Sequence, residues 1–411
     1  MNTLAIDFGT SNSAVAVLEA GTARRLNIEG GAEVLPTAVF FPADRGPMRI
    51  GTAATEALIG GEEGRYMRAL KSVLGTPLFH EKRLIGGKRR GLAEVVTAFL
   101  AALKARAEAE TGRSFSNVLS GRPVHFHAEA ARDAQAEADL RGCYLAAGFE
   151  HIRFCFEPEA AALASPALPP GALGLIVDIG GGTSDFSLFR ETASGIEIIA
   201  SHGIRLGGTD FDRAISLDHA MPLLGHGGQL RREFGPELLP MPAEIYVDLA
   251  TWAKIPFLYT QETRNAVARM RKLAVDARAL GRLADVLEHE IGHDLAFAVE
   301  RGKIEANAGK PGAMIRMGKI ERGLYAEISA GSMTASLVRA RSDLAEALSE
   351  TCRIAAVPPG QVGVVVLVGG SSLMGLVAEE AQKLCPGARL ERAEAFTAVI
   401  DGLARAIEGA D

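Results

Sequence analysis

At 411 residues the chain is too long for one average domain and suggests two or three. With 48% hydrophobic and 23% charged residues it is globular material, which excludes a disordered or fibrous protein. A net charge of −6 with no long basic block argues against nucleic acid or an anionic membrane as partner. Residues 1–60 read as a β-meander, with 35–41 and 48–54 as β-rich runs bounded by Pro and Gly. Leu92, Val95, Val96, Phe99, Leu100 and Leu103 recur at helical spacing over 91–111. A buried strand over 117–126 follows, then a helix from Ala128 to Ala147, a short strand from Ile152 to Phe156 and a helix over "EPEAAALA". The stretch 165–173, with three prolines and a glycine, reads as a linker.

The second half is read as a strand over 196–204, a turn at "LGGTDFD" (206–212) and a helical tract over 243–308 interrupted by Pro256. A β-rich patch over 313–331, helices over 332–355, a strand-to-glycine unit at 362–370 and a last helix from Thr397 to Glu408 complete it. Strands alternating with helices in both halves predict an α/β protein with mixed sheets. The N-terminus enters a strand directly, without a basic leader, which argues against secretion. The longest apolar stretch, 362–368, is interrupted at Gly363 and falls far short of the ~20 residues of a membrane span. Cys143, Cys155, Cys352 and Cys385 form no CxxC and read as thiols of a cytoplasmic protein.

One pattern occurs twice. Residues 4–12 run through an apolar stretch to Asp7, Gly9, Thr10, Ser11 and Asn12. Residues 175–185 run through another to Asp178, Gly180, Gly181, Gly182, Thr183, Ser184 and Asp185. Alternating apolar positions follow each, so each is a strand, a tight glycine turn and a second strand. Two copies suggest related halves facing one another across a phosphate chain. The glycines are expected to supply positive φ and close backbone approach, with successive N–H groups forming an anion nest. An acid beside phosphate requires an intervening cation, and hydrated Mg²⁺ suits that position. The hydroxyls of Thr10, Ser11 and Thr183 add neutral donors. No P-loop or dinucleotide fingerprint is present.

With a third unit, "VGGSS" (368–372), these segments resemble the two phosphate motifs and the adenosine motif of the actin, sugar-kinase and heat-shock ATPase superfamily. "DFGTSNS", "LPTAVFF", "EPEAAALA", "DIGGGTSDFS" and "LGGTDFD" bring the likeness to the DnaK-type heat-shock chaperone family. "GRPVHF", "KSVLG" and "MPLLG" make it most similar to the stand-alone YegD-type branch. The resemblance implies an actin-like ATPase fold of two lobes, with ATP or ADP in the cleft. Lobe I would span 1–172, with 393–411 packing back on it. Lobe II would span 173–392, including a helical and β subdomain at about 208–330.

It further implies that Asp7 and Asp178 hold Mg²⁺ through water from opposite lobes. Gly9, Thr10, Ser11, Asn12, Gly180, Gly181, Gly182, Thr183, Gly207 and Gly208 would surround the phosphates. Glu157, rather than Glu159, would stand near the attacking water. Lys71 is preferred to Lys82 as the phosphate lysine. Glu300 and Lys303 would hold the ribose, and Gly369, Gly370 and Ser371 belong to the adenosine motif. Ile304 and Leu373 stand where the family places two arginines around adenine, so weaker adenine binding and reduced base selectivity are expected.

The implied activity is slow Mg-ATP hydrolysis that opens and closes the lobes of a monomer, with a co-chaperone or client-binding protein as partner. The chain stops at Asp411, so no peptide-binding domain is expected. The alternatives are a small-molecule kinase of the same superfamily and an actin-like filament protein. "HEIGH" (289–293) fits a zinc-protease pattern but lacks its extension, and reads as an exposed polar helix face. His125 and His127 are placed in a loop, and Trp252 in the core of the helical subdomain.

Overall fold

The computed structural model describes residues 2–165, 168–193, 195–232, 234–393 and 397–407. Pro166 and Ala167 of the expected linker, and residues 408–411 at the end of the last expected helix, lie outside them. The chain divides into two compact units, 1–208 with 341–411, and 209–340.

The first unit contains two sheets with the same internal order. In one, the central strand Thr3–Phe8 pairs antiparallel with Asn12–Glu19 and parallel with Asn117–Arg122. Thr22–Arg25 and His151–Phe156 extend the two sides. In the other, the central strand Leu173–Ile179 pairs antiparallel with Ser184–Thr192 and parallel with Val362–Val368. Gly195–Ile204 and Arg389–Arg392 extend it. Each central strand is an apolar run buried on both faces, as a strand flanked by helices must be. The repeated motif is therefore a repeated strand–turn–strand at the centre of two equivalent sheets.

Helices Glu157–Ala164 and Ala398–Arg405 pack against these sheets and against each other. Their small residues permit close contact. A Cβ added to Gly402 would overlap the Ala160 carbonyl. Helices Leu92–Thr111 and Ala130–Ala146 lie near their expected positions.

Three local expectations change. The run 48–54 is a two-residue strand, Arg49–Ile50, followed by the helix Thr52–Ile59. Gly51, at φ 69°, turns the chain there, and the Ala-rich sequence beyond it favours helix. The "LGGTDFD" turn becomes helical at once, with the helix Gly208–Ile215. The 243–308 tract breaks not only near Pro256 but also before Asp276 and after Glu288.

The second unit holds the helices Glu244–Leu249, Gln261–Leu273, Ala277–Glu288, Gly292–Asn307 and Ala330–Ser336 with two short β-ribbons. Thr260 caps one helix by accepting from the Thr263 N–H at 3.1 Å, and Asp276 caps the next through Arg278 and Ala279 at 3.0 Å each. Trp252 is buried, edge-on to Phe297, and its Nε1 donates to Asp212 Oδ2 at 3.1 Å.

"HEIGH" is not an exposed helix face. His289 closes one helix, Glu290 takes φ 53°, and Gly292 opens the next. The Tyr259 hydroxyl holds the break, donating to the Glu290 carbonyl and accepting from the Gly292 N–H, both at 3.0 Å. The two histidines therefore do not share the i, i+4 face that a zinc site of this pattern requires.

The helix crossing at Gly402 supplies a test. Gly402→Ala should destabilise the protein by about 1–3 kcal/mol through overpacking. Urea unfolding would register this as a lower midpoint at constant slope, whereas an unchanged midpoint would show that the crossing adjusts freely.

Candidate functional site

The two glycine turns and the turn after Val362–Val368 meet in one cleft of the first unit. Asp7, Gly9, Thr10, Ser11, Asn12, Lys71, Glu157, Asp178, Gly180, Gly181, Thr183, Gly369, Gly370 and Ser371 line it. Gly182, Gly207 and Gly208 form its second layer. A Cβ on Gly182 would lie 3.2 Å from Thr10 Oγ1, and one on Gly207 would overlap the Gly181–Gly182 backbone. The Gly208 N–H donates to the Gly180 carbonyl at 3.0 Å.

The glycines serve close approach rather than unusual dihedrals. Gly9, Gly180, Gly181 and Gly182 do not have positive φ, contrary to expectation. A side chain on Gly9 would strike the Asn12 carbonyl, and one on Gly181 would come within 2.5 Å of Ser11 Oγ. Gly369 is the exception, at φ 81°, and its Cα packs where a Cβ would press on Asp178 Oδ1.

Three carboxylates and one lysine face the cleft among its described lining residues. Lys71, in the 3₁₀ turn Leu70–Val73, is buried and ion-paired to Glu157, the first residue of the helix Glu157–Ala164. Lys82 is exposed and does not line the cleft. Burial opposes the charge on Lys71, but the carboxylates of Glu157 and Asp7 outweigh it and raise its pKa. Asp7 is pushed up to about 7, first by burial and then by Glu157, with Lys71 acting against them. Asp178 is raised well above the ordinary range by burial, Glu157 and Asp185.

Asp185 received no role from the sequence, yet it is 1% exposed and lies directly opposite Asp178 across the strand pair. Its Oδ1 accepts from the Val124 N–H at 2.6 Å, and the Thr183 hydroxyl also donates to it. Burial and Glu157 push it up to about 8. The signal was available: seven residues around a tight antiparallel turn place two acids face to face, where like charges repel.

This donor set fits a hydrated divalent cation with an attached polyanion. Oxygen ligands predominate, the acids carry uncompensated charge, and the turns bring small residues and hydroxyls to the same wall.

Glu300, Lys303 and Ile304 belong to the second unit, on the helix Gly292–Asn307. Lys303 Nζ stands 2.7 Å from Asp212 Oδ1, both largely buried. Burial raises the pKa of Asp212 while Lys303 opposes the rise. Ile304 is exposed on that helix, and Leu373 is exposed in the first unit at the end of the 3₁₀ turn Gly370–Leu373.

The first unit is thus a mixed α/β unit built on a duplicated acid-and-glycine turn. A family model described as Hsp70 protein matches residues 80–224. The chain is 33% identical over 233 residues to a protein of Pseudomonas putida named chaperone protein HscA homolog, covering 51% of this chain and 36% of that one. The chain thus spans about a third of the length of the curated relative it matches. Over the matched residues the chain is thus similar to Hsp70-type chaperones, the family its motifs resemble. The mixed sheets flanked by helices are consistent with the actin-like ATPase fold of that family. No helix among the described residues is long and apolar enough to cross a membrane.

The raised acids predict the pH dependence of stability. A carboxyl whose folded pKa exceeds its unfolded value contributes fully below about pH 4. That contribution is lost as pH rises through about 7 for Asp7 and about 8 for Asp185. The protein without ligands should therefore melt lower at pH 8.5 than at pH 6. Asp178→Asn, which removes one buried charge while keeping its shape, should raise stability at pH 8.5 by about 1–3 kcal/mol. Calorimetric melts across this range check both; an Asn variant less stable than the parent at pH 8.5 would contradict the assignment.

Proposed function

We propose that the chain binds Mg-ATP in this cleft and hydrolyses it slowly, acting as the nucleotide-dependent part of a chaperone-like protein similar to the YegD-type branch. The reading rests chiefly on one observation: Asp7, Asp178, Glu157 and Lys71, distant in sequence, line one cleft with both glycine turns. Residues 1–172 and 173–392 would act as the two lobes, with 393–411 returning to the first. Cytoplasmic co-chaperone or client-binding proteins would read their closure.

Mg²⁺ would supply positive charge that stabilises the polyphosphate, with Asp7 and Asp178 holding it through water. Lys71 and Glu157 neutralise each other in the resting cleft. An incoming terminal phosphate competes for Lys71, and Glu157, released from that pair, becomes an acceptor able to orient a water. The backbone and hydroxyls of Thr10, Ser11, Asn12 and Thr183 fix the phosphate chain, and Gly180–Gly182 allow it close access. Charge placement and orientation carry most of the catalysis in phosphoryl transfer of this kind. The family resemblance assigns Gly369, Gly370 and Ser371 to the nucleoside, and Glu300 and Lys303 to the ribose. Engagement of Lys303 there requires it to share or leave Asp212.

Isothermal calorimetry and phosphate release without any added acceptor test the reading directly. Asp7→Ala should abolish Mg-dependent ATP binding. Lys71→Ala should retain binding and lower turnover by about a hundredfold, the scale of one lost electrostatic contact in an active site. Binding of Mg-ATP by Asp7→Ala at parental affinity would remove the central claim.

Neither Ile304 nor Leu373 carries the guanidinium plane of the family's arginines, whose stacking contributes ~0.5–2 kcal/mol. ATP and GTP should therefore bind within about tenfold of each other, a difference of ~1.4 kcal/mol or less. Strong rejection of GTP in competition calorimetry would show that the base is read elsewhere.

A further inference from the structure

Lys71 stands on a short turn whose position is not fixed by its own backbone alone. Ala69, which precedes the turn, takes the left-handed conformation at φ 59°, sparsely populated by residues with a Cβ. Its carbonyl accepts from both the N–H and the hydroxyl of Ser72, at 3.1 and 2.7 Å. Beyond Lys71 the chain is anchored on one side by His127 Nε2 against the Leu74 carbonyl at 2.6 Å, and by the Gly75 N–H donating to Asp139 Oδ2 at 2.9 Å. These anchors come from the side of the first sheet.

An anchor from the other sheet is Arg205. It follows the strand Gly195–Ile204, and its Nη2 donates to the Ser72 carbonyl, one residue from Lys71, at 3.0 Å. The segment that carries Arg205 is fastened to the second glycine turn. The Ser184 hydroxyl donates to the Leu206 carbonyl at 2.7 Å, the Gly208 N–H donates to the Gly180 carbonyl at 3.0 Å, and Gly207 lies against Gly181 and Gly182. A rigid path of four residues thus joins the glycine turn of one sheet to the lysine turn of the other.

We infer that Arg205 is a positioning residue, tying the Lys71 turn to the second glycine turn so that the two reach the same phosphate together. The guanidinium suits this task because it is charged at all working pH values and directs its donors in a fixed plane. Its contact is with a carbonyl rather than an acid, so it registers position without neutralising Lys71. If the second glycine turn moves away, Arg205 pulls on or releases the Ser72 carbonyl, and Lys71 loses its register with the cleft. As far as catalysis is concerned, this rests on the ATPase reading above.

The test combines turnover with a readout that needs no nucleotide chemistry. Arg205→Ala should lower kcat by at most about tenfold, the scale of one charge-assisted hydrogen bond at an exposed site. Mg-ATP affinity should stay within about twofold, because uniform binding is untouched. Arg205→Lys should restore part of the rate, and millimolar guanidinium should partly rescue the Ala variant. In a Lys71→Ala background Arg205→Ala should have no further effect, since it acts through that lysine. Independently, acetylation of Lys71 by acetic anhydride, followed by mass spectrometry, should be severalfold faster in Arg205→Ala than in the parent at an unchanged melting temperature. Equal kcat, an additive loss in the double variant, or equal Lys71 labelling would each overturn the inference. Absence of any parental turnover would count against the ATPase reading instead, and the labelling comparison would still decide the role of Arg205.

Discussion

The constraint on which the cleft depends is the crowding of carboxylates against a single lysine. Asp178 and Asp185 face one another across neighbouring strands, while Asp7 and Glu157 share the same cavity wall and its surroundings with Lys71. A core does not gather such charge for stability, because desolvation is severe and only part of it is compensated. The raised values of Asp7, Asp178 and Asp185 measure that imbalance. A bound cation, as proposed above, would restore the acids to their ionised forms and turn repulsion into ligation. The same imbalance that weakens the free protein as pH rises would, on the proposed reading, favour a cation with its anionic cargo in the cleft.

The doubled fold explains how these acids come together. Each sheet places its central strand between antiparallel neighbours on one side and parallel neighbours on the other. The acid of each copy lies near the end of that strand, beside its glycine turn. The copies are equivalent in topology but not in charge. Asp178 has Asp185 opposite it, whereas Asp7 has Ala14 opposite it. The second turn thus carries the greater burden of negative charge, and the Thr183 hydroxyl is directed to Asp185 rather than left to the cleft alone. Close backbone contact lets the turns approach. Ser11 and Thr10 touch the space where Gly181 and Gly182 would otherwise bear side chains.

Much of this was legible in the chain because the signals are local. An apolar run of six or seven residues, an acid and a glycine cluster specify a strand and its turn without long-range information. The helix Leu92–Thr111 was visible from its period, and the strand Val362–Val368 from its β-branched run. Other features depend on distant partners or on backbone states that residue identity does not announce. Nothing in "HEIGH" shows that Glu290 adopts positive φ, which ends the helical reading and separates two histidines of suggestive spacing. Glycine identity likewise announces a requirement without its cause: at Gly181 the cause is the neighbouring turn, and at Gly369 it is the dihedral as well. The ion pair of Lys71 with Glu157 joins residues 86 positions apart, so only the fold could reveal it.

That ion pair also sets the resting state of the cleft. A lysine already matched to a carboxylate costs less to bury than a bare one, so the cleft can hold its cation ready without ligand. The same match restrains chemistry, because neither partner is free for phosphate or water while they remain together. On the proposed reading, ligand entry exchanges one charge pair for another, which would favour a terminal phosphate over a neutral group of similar size. Lys303 and Asp212 repeat the arrangement in the second unit, where a buried lysine is likewise held by an acid. Under the proposed function, binding through such exchange would be discriminating but modest in net gain, as a nucleotide clamp that must also let go requires.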